Sequence, residues 1–237
     1  MKIKHIIIVA LSLLILIPTF GQVFHKNNGE SKSIGTVSNG KLINGYKIPY
    51  KGDNFKYFSA FDYFVLGRCY MHSDIYQIVI DSYKDLNKIY PDYTFKIMEC
   101  SKRRGGRPFP HKTHQNGTSI DFMTPLKKGN KIVRLYDKIG MWRYLMKFDS
   151  NGKARINKNI EIDFDKTAKH ILILDKTARA NGYRIKKVIL ETNLKDEIYN
   201  SKFGKELKNS NIYFVRSLPK IINELHDDHY HIDFEKI

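Results

Sequence analysis

The sequence contains little cysteine and only one long hydrophobic run. Cysteine occurs twice among 237 residues, at positions 69 and 100, and neither belongs to a Cys-x-x-Cys pair. This lack of clustered cysteine disfavours a structural zinc site, and we assign neither thiol a redox or metal role. No internal repeat is present, which excludes a solenoid or propeller. Because a second apolar run is also missing, a multi-span membrane protein is excluded.

The composition is otherwise that of a folded, basic protein. Hydrophobic residues make up 42% of the chain and aromatic residues 13%, enough to bury a sizeable core, so global disorder is excluded. The length suits one domain. Lys and Arg number 41 against 24 Asp and Glu, which gives a formal charge of +17.

The positive charge is spread along the chain. Its tightest cluster is Lys102, Arg103, Arg104 and Arg107, in a loop interrupted by glycine. Scattered lysines disfavour nucleic acid as a partner, because phosphate binding gains affinity from clustered cations. An anionic envelope polymer or an acidic peptide stem is the better match.

The N-terminus predicts export. Lys2 and Lys4 precede an apolar run from Ile6 to Ile17, and small residues follow at Thr19 and Gly21, as in a cleaved signal peptide over residues 1–21. The run forms roughly 18 Å of helix, short of the roughly 30 Å of a bilayer core, so no permanent membrane anchor is expected and the localisation is periplasmic or secreted. We expect a flexible lead-in over 22–33 and a folded domain over 34–237. Export leaves two alternatives for Cys69 and Cys100, a disulfide or two buried thiols.

Patterns along the domain predict an α+β fold. Apolar residues at three- and four-residue spacing predict a helix from Ser73, as N-cap, to Tyr90, and another over Asp165–Ala180 that stops at Gly182. Strands are predicted at 93–98, 188–190 and 213–215, and the clearest alternation is at 229–234. We expect a single domain with a small antiparallel sheet, flanked by helices and long loops.

Five of the nine histidines fall in two short clusters. The first contains His111 and His114, followed by Asn116-Gly117 and Asp121. Asn-Gly predicts a two-residue hairpin turn that pairs His114 with Ser119 and places His114 diagonal to Asp121 on one face. A carboxylate and an imidazole at that separation can share a metal ion.

The second cluster contains His226, His229 and His231. The alternation places His229, His231 and Asp233 on one strand face. Three nitrogen and oxygen ligands with a fourth position for water are typical of catalytic zinc, which activates water and polarises a carbonyl. The isolated histidines, at 5, 25, 72 and 170, are interpreted as surface residues.

These residues resemble the penicillin-insensitive murein endopeptidases, within the wider group of lysostaphin-type and D-Ala-D-Ala zinc peptidases. The resemblance is carried by Arg104-Gly105-Gly106, His111-x-x-His114-Gln115-x-Gly117, Asp121 and the stretch His226–His231, with Ser38-Asn39-Gly40 similar to the start of the family's domain. The family usually has an acidic residue at the position of Ser119, and it often has several disulfides, whereas only one is available here.

The resemblance implies a role for each matched residue. His114, Asp121 and His231 would be ligands of Zn²⁺, and His229 would stabilise the oxyanion or act as acid or base. His226 and His111 would orient water or peptide, while Asp228 occupies the position of a glutamate base in related carboxypeptidases.

The implied activity is hydrolysis of D-Ala to diaminopimelate cross-links in peptidoglycan, whose stem peptides would be the partner. Two alternatives stay open: a D-Ala-D-Ala carboxypeptidase or dipeptidase with the same metal site, and a non-catalytic basic protein that binds the cell envelope.

Overall fold

A computed structural model describes residues 23–237, which form thirteen strands and five α-helices. The strands are β1 (Lys32–Thr36), β2 (Asn39–Ile43), β3 (Tyr46–Lys47), β4 (Phe55–Tyr57), β5 (Tyr70–Met71), β6 (Phe95–Ile97), β7 (Ser119–Met123), β8 (Leu126–Lys128), β9 (Lys131–Ile132), β10 (Lys153–Ala154), β11 (Asn157–Ile162), β12 (Tyr183–Ile189) and β13 (His229–Lys236). The helices are α1 (Ser73–Ile89), α2 (Phe164–Ala180), α3 (Lys195–Asn200), α4 (Gly204–Asn209) and α5 (Lys220–Glu224).

The main sheet has five strands in the order β12-β13-β7-β6-β4. Its pairs are antiparallel except β4 with β6, which run parallel. Helices α1 and α2 pack against each other, and α2 also packs on β12. The predicted α+β class is confirmed.

The two long helices form where the apolar spacing predicts them. In α1 the buried residues include Ile75, Val79 and Leu86, which follow one face of the helix. The cap differs from the prediction, since Ser73 is the first helical residue and Nδ1 of His72 accepts the hydrogen bond from the Asp74 amide, at 3.2 Å. Helix α2 is capped by Asp163, whose Oδ1 accepts from the Lys166 amide at 3.0 Å.

Strand β13 alternates as predicted. Tyr230, Ile232 and Phe234 belong to the hydrophobic core, while His229 and His231 contact polar groups on the other face. The neighbouring prediction for Tyr213–Val215 is wrong as a strand, because Phe214 makes only an isolated parallel bridge with Val188.

The hairpin predicted at Asn116-Gly117 does not form. Strand β7 begins at Ser119 and has β13 on one side and β6 on the other, so neither of its edges is available to residues 111–115. The segment before β7 is a loop in which His114 has a left-handed backbone (φ +62°).

His170 is not the surface residue that its isolation in the sequence suggests. It is fully buried on α2, its ring stacks on Tyr83 and Phe95, and its Nδ1 hydrogen-bonds with the hydroxyl of Tyr230. Burial lowers the pKa of His170 to about 3, so the imidazole is a neutral core side chain.

Of the two alternatives for the cysteines, a disulfide or two buried thiols, the structure has the buried thiols. Cys69 and Cys100 are buried thiols, with Cys69 Sγ 3.6 Å from the Tyr63 carbonyl oxygen. Burial raises the pKa of both thiols, which keeps them protonated.

The start of the folded unit lies slightly earlier than position 34. Strand β1 begins at Lys32, and within the preceding segment Asn27 hydrogen-bonds with the backbone of Lys47 while the hydroxyl of Ser31 donates to the Asn44 carbonyl. Residues 23–31 therefore contact the domain. The predicted signal peptide lies outside the described residues. Across 23–237, no helix is both long and apolar enough to cross a bilayer.

Candidate metal centre

Two adjacent strands bring the second histidine cluster to Asp121. The register between β7 and β13 places His231 opposite Asp121 and Asp233 opposite Ser119. The loop before β7 adds His114 from the other side of the Asp121 carboxylate. Residues separated by 110 positions in sequence thus meet on one face of the sheet.

Asp121 lies between two imidazoles. Its Oδ2 is 3.1 Å from Nε2 of His114, and its Oδ1 is 2.7 Å from Nδ1 of His231. Burial alone would raise the pKa of Asp121, but the two imidazoles hold it well below its usual range. Asp121 is therefore ionised, as a metal ligand must be.

His114 is held rigidly and points its Nε2 into the site. The residue is fully buried, its Nδ1 faces the Ser119 carbonyl oxygen at 3.2 Å, and its backbone adopts a conformation that is costly for a residue with a side chain. The buried Nε2 makes no hydrogen bond of acceptable geometry to a described residue. A buried nitrogen of this kind beside an ionised carboxylate suits a metal ion.

His111, His114 and Asp121 form a group that can hold a metal ion, with one ligand atom from each lying within 4.8 Å of the others. Two of these residues belong to the predicted ligand set, which has His231 in place of His111. His231 contacts the same carboxylate, so the structure brings all four residues together. Nitrogen and oxygen donors suit zinc and other divalent transition metals.

Each of the five clustered imidazoles has at least one ring nitrogen in contact with a carbonyl or carboxylate oxygen outside the proposed ligand set. The pairs are His111 with Glu99 (2.8 Å), His114 with the Ser119 carbonyl (3.2 Å), His226 with the Ile222 carbonyl (2.6 Å), His229 with Asp228 (2.7 Å) and His231 with Asp233 (2.7 Å). Such partners fix the tautomer and the orientation of metal-binding histidines. Because these oxygen atoms orient the imidazoles, the residues are suited to bind a metal ion.

His231 lies between two carboxylates. Its Nε2 contacts Asp233, and Ser119 Oγ donates to the same Asp233 oxygen at 2.6 Å. Burial alone would lower the pKa of His231, but Asp233 and Asp121 raise it to about 9. Ser119, which stands where the resembled family has an acidic residue, thus supports the site through Asp233.

His229 and His226 lie beside this group with their rings tilted against each other. Their ring centroids are 4.9 Å apart, and His226 lies 6.4 Å from His231 by the same measure. Burial lowers the pKa of His226 to about 3, with a contribution from the charge of His229. Burial would also lower the pKa of His229, but the Asp228 carboxylate raises it above its ordinary value. Asp228 therefore orients His229.

Glu99 and Arg68 are site residues that the sequence patterns missed. Glu99 Oε2 contacts His111, its Oε1 accepts from Arg68 Nη1 at 2.8 Å, and Arg68 also donates to the carbonyl of Phe109 in the loop. This network supports His111 and the loop that carries it. Glu99 belongs to no motif; only its position just after the predicted strand 93–98 could have drawn attention to it.

The motif residues Gln115 and Gly105 shape the loop that carries His114. Gln115 donates to the carbonyls of Ser38 and Lys112, and its own carbonyl accepts from the Gly106 amide. A side chain at Gly105 would lie 2.1 Å from the Gln115 carbonyl oxygen. The glycines therefore allow the backbone to pass close behind His114.

Comparison with known proteins finds no matching family model and no matching curated protein.

Proposed function

We propose that this protein is an exported zinc-dependent peptidase that hydrolyses the peptide cross-links of peptidoglycan, at D-Ala to diaminopimelate bonds. The observation that carries the proposal is the set of histidines around Asp121, each oriented by an oxygen atom in contact with at least one of its ring nitrogens. Its amino-acid pattern resembles the murein endopeptidases, and its geometry supports the use of these residues as a metal-bound catalytic site.

The proposed ligands are His114, Asp121 and His231, with His111 next to them. A zinc ion bound there would supply a water molecule of lowered pKa and would polarise the scissile carbonyl. The chain's own contribution is to hold one ionised carboxylate between two imidazole nitrogens in a buried setting, where electrostatic interactions are stronger than in water.

His229 is the residue best suited to hydrogen-bond with substrate. Asp228 holds its Nδ1, and no described residue hydrogen-bonds with its Nε2, which can donate to the oxygen that gains charge during hydrolysis. Asp228 is itself held, since its backbone carbonyl accepts from Thr124 and Arg143 Nε lies 4.0 Å from its carboxylate.

His226 is suited to proton transfer with the leaving amine. If its Nδ1 donates to the Ile222 carbonyl, as the 2.6 Å contact favours, its Nε2 carries a lone pair. Its low pKa makes the imidazole neutral at the start of the reaction and a strong donor once protonated.

Digestion of purified diaminopimelate-containing peptidoglycan tests the proposal. The zinc-loaded protein is expected to convert cross-linked dimers to monomers, a chelator to abolish this and zinc to restore it, with products identified by mass spectrometry. His114→Ala and His231→Ala should each lower the rate by at least about a hundredfold, because a ligand is lost.

His72→Asn is the matched control, since it removes an imidazole outside the site and keeps a side chain that can cap α1. Full activity of folded His114→Ala and His231→Ala would refute the proposal. Release of terminal D-Ala alone would assign the carboxypeptidase activity instead, and binding to sacculi without any product would identify a binding protein.

A further inference from the structure

A second candidate site lies close to Tyr144, one of the aromatic residues beside the histidines. It is a cleft of about 830 Å³, a size typical of ligand pockets. Phe58 lines the cleft, its ring lies 5.8 Å from that of Tyr144, and Tyr144 lies 5.7 Å from His229. Tyr144 therefore contacts both a residue that lines the cleft and a histidine of the candidate metal centre.

Three lysines stand side by side on one wall of this cleft. Lys56 of β4 is in register with Lys96 of β6, and Lys51 forms an antiparallel bridge with Lys56. Residues in register on neighbouring strands have side chains on the same face, with backbones about 5 Å apart. The flanking residues Phe55, Tyr57, Phe95 and Ile97 point the other way, into the core.

No carboxylate of the described residues forms a close ion pair with this lysine row. None of its three ammonium groups forms an ion pair with a residue in the range 23–237 that the structure describes. Lys56 and Lys96 are only partly exposed, so water solvates them incompletely. Like charges in register destabilise a sheet. Burial lowers the pKa of Lys96, and Lys56 and Lys138 lower it further, whereas Asp137 opposes the shift.

The remainder of the cleft is basic and aromatic. Five basic residues line it against two acidic ones: Lys51, Lys56, Lys96, Arg134 and Lys138 against Asp92 and Asp137. The lining also includes the aromatic residues Phe61 and Trp142, which are 47% and 70% exposed. Separate ammonium groups next to apolar walls suit several carboxylates joined by short apolar segments.

We propose that this cleft binds the carboxylates of an acidic peptide, with the lysine row as its anion-binding wall and Phe61 and Trp142 against the peptide's apolar parts. Next to a peptidase centre, the cleft would hold the acidic portion of a stem peptide while a bond of that peptide is cut at the metal centre. That link to catalysis rests on the proposed function, whereas binding to the cleft does not.

Trp142 makes the test direct, because it is the single tryptophan of the chain. Penta-glutamate is titrated into the full-length protein at physiological salt while Trp142 fluorescence is followed. We expect a saturable change with penta-glutamate and none with penta-glutamine. Lys56→Met with Lys96→Met should weaken binding at least about tenfold, equivalent to about 1.4 kcal/mol.

Lys153→Met is the matched control, since it removes one charge from an exposed strand position that does not line the cleft. It should change the affinity less than about twofold. Lys138→Met supplies a second test at an exposed lining residue, where the substitution does not disturb the core, and it should weaken binding about threefold.

Several results would overturn the proposal. Equal binding of penta-glutamine would remove the role of charge, and tighter binding of a polyphosphate than of penta-glutamate would assign the cleft to phosphate polymers. Lysines on an edge strand can also serve to prevent strand pairing. In that case the double variant would aggregate, and Lys138→Met would bind penta-glutamate as the unmodified protein does.

The proposed peptide binding and the proposed hydrolysis can be refuted independently of each other. Penta-glutamate binding without any digestion of peptidoglycan would retain the cleft and refute the proposed function. Digestion that is unaffected by the three lysine substitutions, together with no fluorescence change, would retain the function and refute the cleft.

Discussion

Asp233 fixes the orientation of His231. It contacts Nε2 of His231 at 2.7 Å, accepts from Ser119, and pairs with Lys187 at 3.0 Å. The nitrogen on the other side of the imidazole, Nδ1, is thereby directed at the Asp121 carboxylate. Asp233 belongs to the same face as His229 and His231 in the alternating pattern, yet that pattern alone does not distinguish a ligand from the residue that orients it.

Asp233→Asn is therefore expected to weaken zinc binding by about 10- to 100-fold, because the amide supports His231 less well as a ligand. Competition with a chromogenic chelator measures the affinity. Glu235→Gln is the control, since Glu235 lies two residues further along β13 and pairs with the exposed side chain of Arg184, away from His231. Similar affinities for the two variants would show that Asp233 does not orient the ligand.

His170 links stability to pH. Its pKa is about 3 in the folded protein against an ordinary value of 6.5, because the imidazole is buried. Between those two pH values the unfolded chain binds a proton that the folded chain does not. The contribution of His170 is thus complete above pH 6.5 and is lost on acidification, at about 1.4 kcal/mol per pH unit.

A His170→Phe variant lacks this proton. Urea unfolding of both proteins between pH 7 and pH 4 measures the effect. On acidification, the free energy of unfolding should fall more steeply for the unmodified protein. The difference between the two proteins should change by about 1.4 kcal/mol per pH unit below pH 6.5. Parallel curves would show that folding does not lower the pKa of His170.

At the scale of secondary-structure elements, local periodicity was enough for α1, α2 and β13. Helices α1 and α2 each bury one face, and β13 places its apolar side chains on the core face and its polar ones on the other, so the spacing of apolar residues carries the information. The hairpin prediction was wrong because the Asn-Gly pattern is local, whereas the strands that pair with β7 come from distant parts of the sequence. Strand β13 pairs with β7 from more than 100 residues away.

The same distinction applies to the candidate site. The histidine clusters and Asp121 were predictable because they are short patterns with metal-binding residue types. Glu99 and Arg68 were not, since their ion pair spans 31 positions and leaves no local pattern. The hairpin prediction brought His114 near Asp121 by an incorrect route: a left-handed loop residue, and not a paired strand, makes that contact.

At the scale of the whole molecule, the candidate metal centre joins segments that are distant in sequence. A ligand that binds the folded state alone stabilises it by mass action, by about 2.7 kcal/mol at a hundredfold excess over Kd. Zinc added to chelator-treated protein should therefore raise the Tm by roughly 5–10 °C.

Differential scanning fluorimetry measures this shift, with Mg²⁺ as the control ion, since it prefers oxygen ligands and should leave the Tm unchanged. The His114→Ala variant should lose most of the zinc effect. An equal shift in that variant would place the stabilising ion elsewhere.

The pairing of β7 with β13 also has a consequence for the order in which the protein is made. Synthesis runs from the N-terminus, so a nascent chain that has emerged as far as Asp121 still lacks His226, His229 and His231. Until β13 has been synthesised, β7 lacks one of its two pairing strands and Asp121 lacks one of its two imidazole contacts. The complete site thus forms only after β13 has been synthesised, and tight metal capture would report that β13 has paired with β7.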